Sequence, residues 1–91
     1  MNLEEAERLL KKVDGWRLEG SEIQRVFKFR DFRESIKFVN QVAELAEKEG
    51  HHPDVRISWN SVTLTLTTHA IQGLSQNDFI LAAKINEIDA R

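Results

Sequence analysis

The chain has no cysteine, no tyrosine, one proline and four glycines in 91 residues. Without thiols it forms neither a disulfide framework nor a thiolate zinc site, and nothing argues for an oxidising compartment. Four scattered glycines provide no glycine-rich phosphate loop. No apolar run approaches the ~20 residues that cross a bilayer, and the opening "MNLEEAERLLKK" is too charged for a secretory leader. A dominant charge is lacking too. With a net charge of -2 and no basic block, direct nucleic-acid binding has little electrostatic support. The expectation is a cytoplasmic protein with no membrane attachment.

What is present suffices for one small domain spanning residues 1–91, since 41% of the residues are hydrophobic. A chain of this size buries only roughly 60–65% of its unfolded surface, so contacts between subunits are a natural supplement. The first segment, "NLEEAERLLKKVDG", reads as a helix. Asn2 and Glu5 have capping-box spacing, Ala6, Leu9, Leu10 and Val13 form a stripe, and Gly15 supplies a stop. "WRLEGSEIQRVFKF" reads as a strand hairpin turning at "EGSE", although Arg25 interrupts its apolar side. A long helix follows from Asp31 to Gly50, with Phe32, Ile36, Val39, Val42, Ala43 and Ala46 as its stripe and Phe38 and Leu45 widening it. After Pro53 a second hairpin alternates cleanly, and Ser75 with Asp78 opens a last helix carrying Leu81, Ile85 and Ile88. The order α-β-β-α-β-β-α predicts a two-layer α+β fold, a four-stranded antiparallel sheet with helices packed on one face.

If "NS" (Asn60 and Ser61) forms a two-residue turn, Trp59 pairs with Val62, Ile57 with Leu64 and Val55 with Leu66. That register sends all six apolar side chains, Trp59 included, into the core. Carried to the open end, it sets His52 opposite His69, with His51 one residue away. All three histidines of the chain then converge at one corner. Any one of them alone could be a solvated ring or a partner of a helix C-terminus. Asp78 likewise has a structural role as the acidic member of its capping box. Metal binding is disfavoured, because adjacent histidines on an extended segment point to opposite faces and no chelating His-x-His spacing exists. No nucleophile motif precedes a helix. Metal-free proton transfer remains, and imidazole, with an ordinary pKa near ~6.5, suits it.

These residues resemble the pterin-4a-carbinolamine dehydratase family. Its pattern here reads Glu47, "KEG", His51-His52-Pro53, "DVRIS", Trp59, "NSVTLTLTT", His69, "AIQGLSQN", Asp78. The flanking "VFKFRDF" and "GLSQNDFILAAKI" are similar to the family as well, so the resemblance runs from about Gly15 to Ile88. Val55 stands where many relatives carry tryptophan or another large residue.

The resemblance implies loss of water from 4a-hydroxytetrahydropterin, giving quinonoid dihydropterin, a step in tetrahydrobiopterin recycling. It implies a homodimer or homotetramer with a pterin substrate and neither cofactor nor metal. His51, His69 and His52 would be the catalytic set, with His51 and His69 as the acid–base pair. His52, Pro53 and Asp78 would form the substrate-binding side, Asp78 also setting the charge or tautomer of a histidine. The alternative is a non-catalytic paralogue that keeps the fold as a dimerisation or interaction module.

Overall fold

The computed structural model describes residues 1–89. Its elements are α1 (Leu3–Leu10), β1 (Arg17–Glu19), β2 (Glu22–Lys28), α2 (Phe32–Glu49), β3 (Asp54–Ser58), β4 (Ser61–Leu66) and α3 (Gln76–Ile88), with a 3₁₀ turn at His69–Ile71. The order and the α+β class match the sequence reading. Strands pair antiparallel in the order β1-β2-β4-β3, so the second hairpin lies against the first through β4 and leaves β3 at an edge.

Local chemistry starts each helix. Asn2 Oδ1 accepts the Glu5 N–H at 2.8 Å and Asp31 Oδ1 accepts the Glu34 N–H at 2.9 Å. Helix α1 ends at Leu10, earlier than Gly15 suggested, and the turn that follows buries Val13 and Trp16 instead of extending the helix. Helix α2 runs to Gly50, whose left-handed conformation (φ 66°) closes the helix.

One face of the sheet aligns Ile23 with Leu66 and Phe27 with Val62, and all four are buried with Leu64. Against them pack Phe38, Val42, Phe79, Leu81, Ala82 and Ile85 from α2 and α3. The stripe of α2 that reaches this core is Ser35, Phe38, Val42 and Ala46. Phe32 and Ala43, expected on the same stripe, are exposed on a neighbouring side of the helix. Arg25 does lie on the core face, in register with Leu64, and the structure explains it. Its guanidinium sits 4.3 Å over the Phe27 ring and donates to Asn86 Oδ1 at 2.6 Å and the Asp14 carbonyl at 3.0 Å. Asn86 also accepts the Trp16 Nε1–H at 2.9 Å, so one polar clamp ties the α1–β1 turn to α3.

The second hairpin departs from expectation. Its turn is Trp59–Asn60, not Asn60–Ser61, so Ile57 pairs with Val62 and Val55 with Leu64. The shift is two residues, which preserves the faces but changes every partner. Trp59 takes the left-handed region (φ 49°), uncommon for a bulky side chain. Tertiary bonds hold it there: Ser35 Oγ donates to the Trp59 carbonyl at 2.9 Å, and the Phe29 N–H to the Asn60 carbonyl at 2.8 Å. Trp59 is therefore not core but 65% exposed, and Val55 on the edge strand is 43% exposed.

Candidate active site

Three segments meet at the open end of the second hairpin. The first is the C-terminus of α2. With Gly50 left-handed, its N–H and that of His51 both return to the Ala46 carbonyl, and the chain leaves the helix at His51. His52 and Pro53 follow as an extended link into β3, Pro53 half-buried. The second segment is the turn after β4. Here Thr68 and Gly73 exchange backbone hydrogen bonds, at 2.9 and 3.3 Å, and close a loop containing His69–Ile71. Gln72 closes that loop with a positive φ of 53°. The third is the first turn of α3, which contributes Asp78.

Asp78 is the centre of the arrangement and is fully buried, at 0% exposure. Oδ1 lies 2.6 Å from His51 Nε2. Oδ2 accepts the Thr68 hydroxyl at 2.9 Å and the Ser75 N–H at 2.9 Å. A carboxylate only accepts, so His51 donates through Nε2–H and its Nδ1 carries the free lone pair when the ring is neutral. The Ser75 hydroxyl is 2.7 Å from the Thr68 hydroxyl. Thr68 spends its single proton on Asp78, so the Ser75 hydroxyl donates to Thr68.

The anticipated residues are thus placed unevenly. His51, with a side chain 19% exposed, is brought to Asp78. His52 turns back onto Glu47 of α2, its Nε2 hydrogen-bonded to the exposed carboxylate. His69 sits on the 3₁₀ turn, exposed, and its ring makes no hydrogen bond or ion pair with any described residue. The expected pairing of His52 with His69 does not occur. β4 ends at Leu66, β3 begins at Asp54, and the true register carries His52 to the level of Thr67. The connection from His69 to His51 is through the chain, because its neighbour Thr68 binds the carboxylate that holds His51. Reading by motif missed Thr68. The only signal was a hydroxyl preceding a histidine, with a helix-starting Ser-x-x-Asp a few residues on. Among the described residues no three His, Asp or Glu side chains are grouped as a metal site requires, and no helix is long and apolar enough to cross a membrane.

Comparison with known proteins bears on the family and the fold. The profile of the family described as Pterin 4 alpha carbinolamine dehydratase matches residues 1–88. A protein of Trichormus variabilis is 55% identical over 78 residues, covering 86% of this chain and 84% of its own length. One from Rubrobacter xylanophilus is 44% identical over 86 residues, covering 93% and 80%. Both carry the name pterin-4-alpha-carbinolamine dehydratase provisionally. The crystal structure of a transcriptional coactivator/pterin dehydratase from Brucella melitensis superposes with a TM-score of 0.91 at 38% identity, covering 97% of this chain and 96% of that one. A pterin dehydratase-like protein described as a RuBisCO assembly factor of the alpha-carboxysome shares the fold, with a TM-score of 0.72 at 22% identity over 84% of this chain and 90% of that one. With the profile spanning nearly the whole sequence and relatives alike over most of their length, the chain belongs to the pterin-4a-carbinolamine dehydratase family.

Proposed function

We propose that this protein is a 4a-hydroxytetrahydropterin dehydratase that works by metal-free imidazole acid–base catalysis. The observation that carries the reading is the 2.6 Å contact between His51 Nε2 and the fully buried Asp78 carboxylate. A buried carboxylate committed to one ring nitrogen fixes the ring's tautomer and orientation, and a ring so held can move a proton at its other nitrogen.

In the proposed reaction the C4a–O bond breaks as the lone pair on the adjacent ring nitrogen forms a C=N bond. One group protonates the departing hydroxyl, which leaves as water, and a second takes the proton from that nitrogen. Substrate equals product plus water, so the reaction requires no electron acceptor and no cofactor. His51 and His69 are the acid–base pair, His52 and Pro53 bind and orient the pterin, and Asp78 sets the state of His51. The exposed ring of His69, without a hydrogen-bond partner among the described residues, supports its assignment, since a proton-transfer group must be free to meet substrate. Positioned acid–base groups accelerate such steps by roughly 10²–10⁴-fold. The test is dehydration of 4a-hydroxytetrahydropterin by purified protein in the presence of a chelator. Turnover that falls at least a hundredfold in His69→Ala, with the fold retained, is expected; equal rates with and without protein sink the reading.

A second reading, a non-catalytic paralogue that keeps the fold as a dimerisation or interaction module, draws on a different observation. Phe32, Val55 and Trp59 are all exposed, and Trp59 lines a surface depression with Phe32 and Ile36. Apolar side chains grouped in this way mark contact surfaces. Light scattering of the wild-type chain separates the two: a monomer with full activity removes the need for assembly.

A further inference from the structure

We propose that Thr68 is a positioning residue that joins His51 and His69 into one acid–base unit. The inference rests on the dehydratase reading and adds to it a residue whose side chain hydrogen-bonds to Asp78 and Ser75 and, among the described residues, to neither ring. Two functions meet in this threonine. Its side chain donates to Asp78 Oδ2 at 2.9 Å, so it fixes the carboxylate whose other oxygen holds His51. Its backbone exchanges two hydrogen bonds with Gly73, and its carbonyl also accepts the Ile71 N–H at 3.1 Å. Those bonds close the turn on which His69 is the first residue.

Chemistry gives Thr68 a directional role in the network. A hydroxyl both donates and accepts, and here it accepts from the Ser75 hydroxyl while donating to Asp78. The Ser75 N–H meets the same Oδ2, so that oxygen is doubly bonded and the carboxyl plane is set by α3 on one side and the His69 turn on the other. If the Thr68 hydroxyl is lost, Oδ2 keeps only the Ser75 N–H, and the carboxylate is free to rotate away from the ring. The turn carrying His69 then keeps its backbone closure but loses its side-chain anchor to α3. Both imidazoles lose registration from a change at a third residue.

The experiment compares Thr68→Val, which preserves shape, with Thr68→Ser, which preserves the hydroxyl, in the full chain. Two readouts are taken: kcat and KM for 4a-hydroxytetrahydropterin, and the hydrogen-bonded Nε2 proton of His51 by NMR. Thr68→Val should lower kcat about tenfold, the scale of one lost hydrogen bond to a charged group. KM should stay within twofold, and the Nε2 proton signal should broaden by exchange. Thr68→Ser should restore both. The proposal is overturned by a Thr68→Val kcat within twofold of wild type, by an unchanged proton signal, or by a folded Thr68→Ser as impaired as Thr68→Val. If Thr68→Val does not fold, Ser75→Ala serves, because it removes the hydroxyl partner of Thr68 and leaves the Ser75 N–H on Asp78. A kcat lowered about threefold at unchanged KM supports the proposal, and an unchanged kcat overturns it. A wild-type chain without turnover would sink the dehydratase reading alone, since the proton signal still decides whether Thr68 holds His51.

Discussion

Replacing Asp78 by asparagine changes the site without changing its shape. The side chain accepts three hydrogen bonds: from His51 Nε2, from the Thr68 hydroxyl and from the Ser75 N–H. An asparagine presents one acceptor and one donor end. The backbone N–H of Ser75 cannot rotate or accept, so the amide oxygen must take the Oδ2 position. The NH₂ group then faces His51 and demands an acceptor at Nε2. The ring answers by moving its proton to Nδ1, the opposite tautomer from the one the carboxylate holds, and the free lone pair is lost from the substrate side. Loss of the charge alone is worth about 1.5–3 kcal/mol, roughly 10- to 150-fold in rate. The reversed tautomer adds to that, so a fall in kcat of about 10²–10³-fold is expected, within the range of acid–base catalysis as a whole.

The assay is dehydration of 4a-hydroxytetrahydropterin at saturating substrate, with circular dichroism to establish that the variant is folded. The double variant with His51→Ala should be hardly worse than either single change, because both remove the same unit. An Asp78→Asn protein with kcat within threefold of wild type would refute the assignment of His51 as an Asp78-dependent member of the acid–base pair.

Three further predictions concern the frame around the site. Gly15→Ala should destabilise the fold by about 2–3 kcal/mol in urea melts, because φ is +85° and the new Cβ would fall 2.6–2.9 Å from the Arg25 side chain; a loss below ~0.5 kcal/mol would show that the clamp on Asn86 adapts freely. Trp59→Asn should leave stability within ~1 kcal/mol of wild type or raise it, since asparagine tolerates the left-handed region and little indole area is buried. A decrease beyond ~1.5 kcal/mol would mean that the indole contributes packing its exposure does not suggest. Phe32→Glu should lower the mass measured by light scattering if the exposed side of α2 is a subunit contact, and an unchanged mass would place that contact elsewhere.

Features written in local chemistry were legible in the sequence. The caps at Asn2 and Asp31, the glycine stop at Gly50 and the Ser75–Asp78 pair depend on residues three or four apart, and each stands where the spacing put it. The alternation of β4 was equally plain, with Val62, Leu64 and Leu66 all buried. What failed depended on partners far along the chain. Placing tryptophan in a left-handed turn has no local signal; it follows from Ser35 and Phe29, which bond the turn from 24 and 31 residues away. Val55 lies on an edge strand and Trp59 at a hairpin tip, and both stay exposed although Trp59 borders Phe32 and Ile36 of α2. Periodicity says which side a residue faces and not whether anything packs there.

The same distinction explains the site. The spacing of the three histidines suggested that the sheet ladder itself would pair them, yet the ladder stops short of both His52 and His69. Asp78 holds His51 instead, and its own place is set by its helix, since it accepts the Ser75 N–H at the start of α3. Holding His51 therefore adds one bond to a carboxylate already immobilised, at less entropy than ordering a free side chain would cost. That economy has a consequence for variation. Changing His51 removes one ring and leaves the helix start intact, whereas changing Asp78 loosens the cap, the Thr68 turn and the ring together. Position 78 thus serves folding and the proposed chemistry at once, and the asparagine variant, which keeps the Ser75 N–H bond, tests the chemistry once its fold is established.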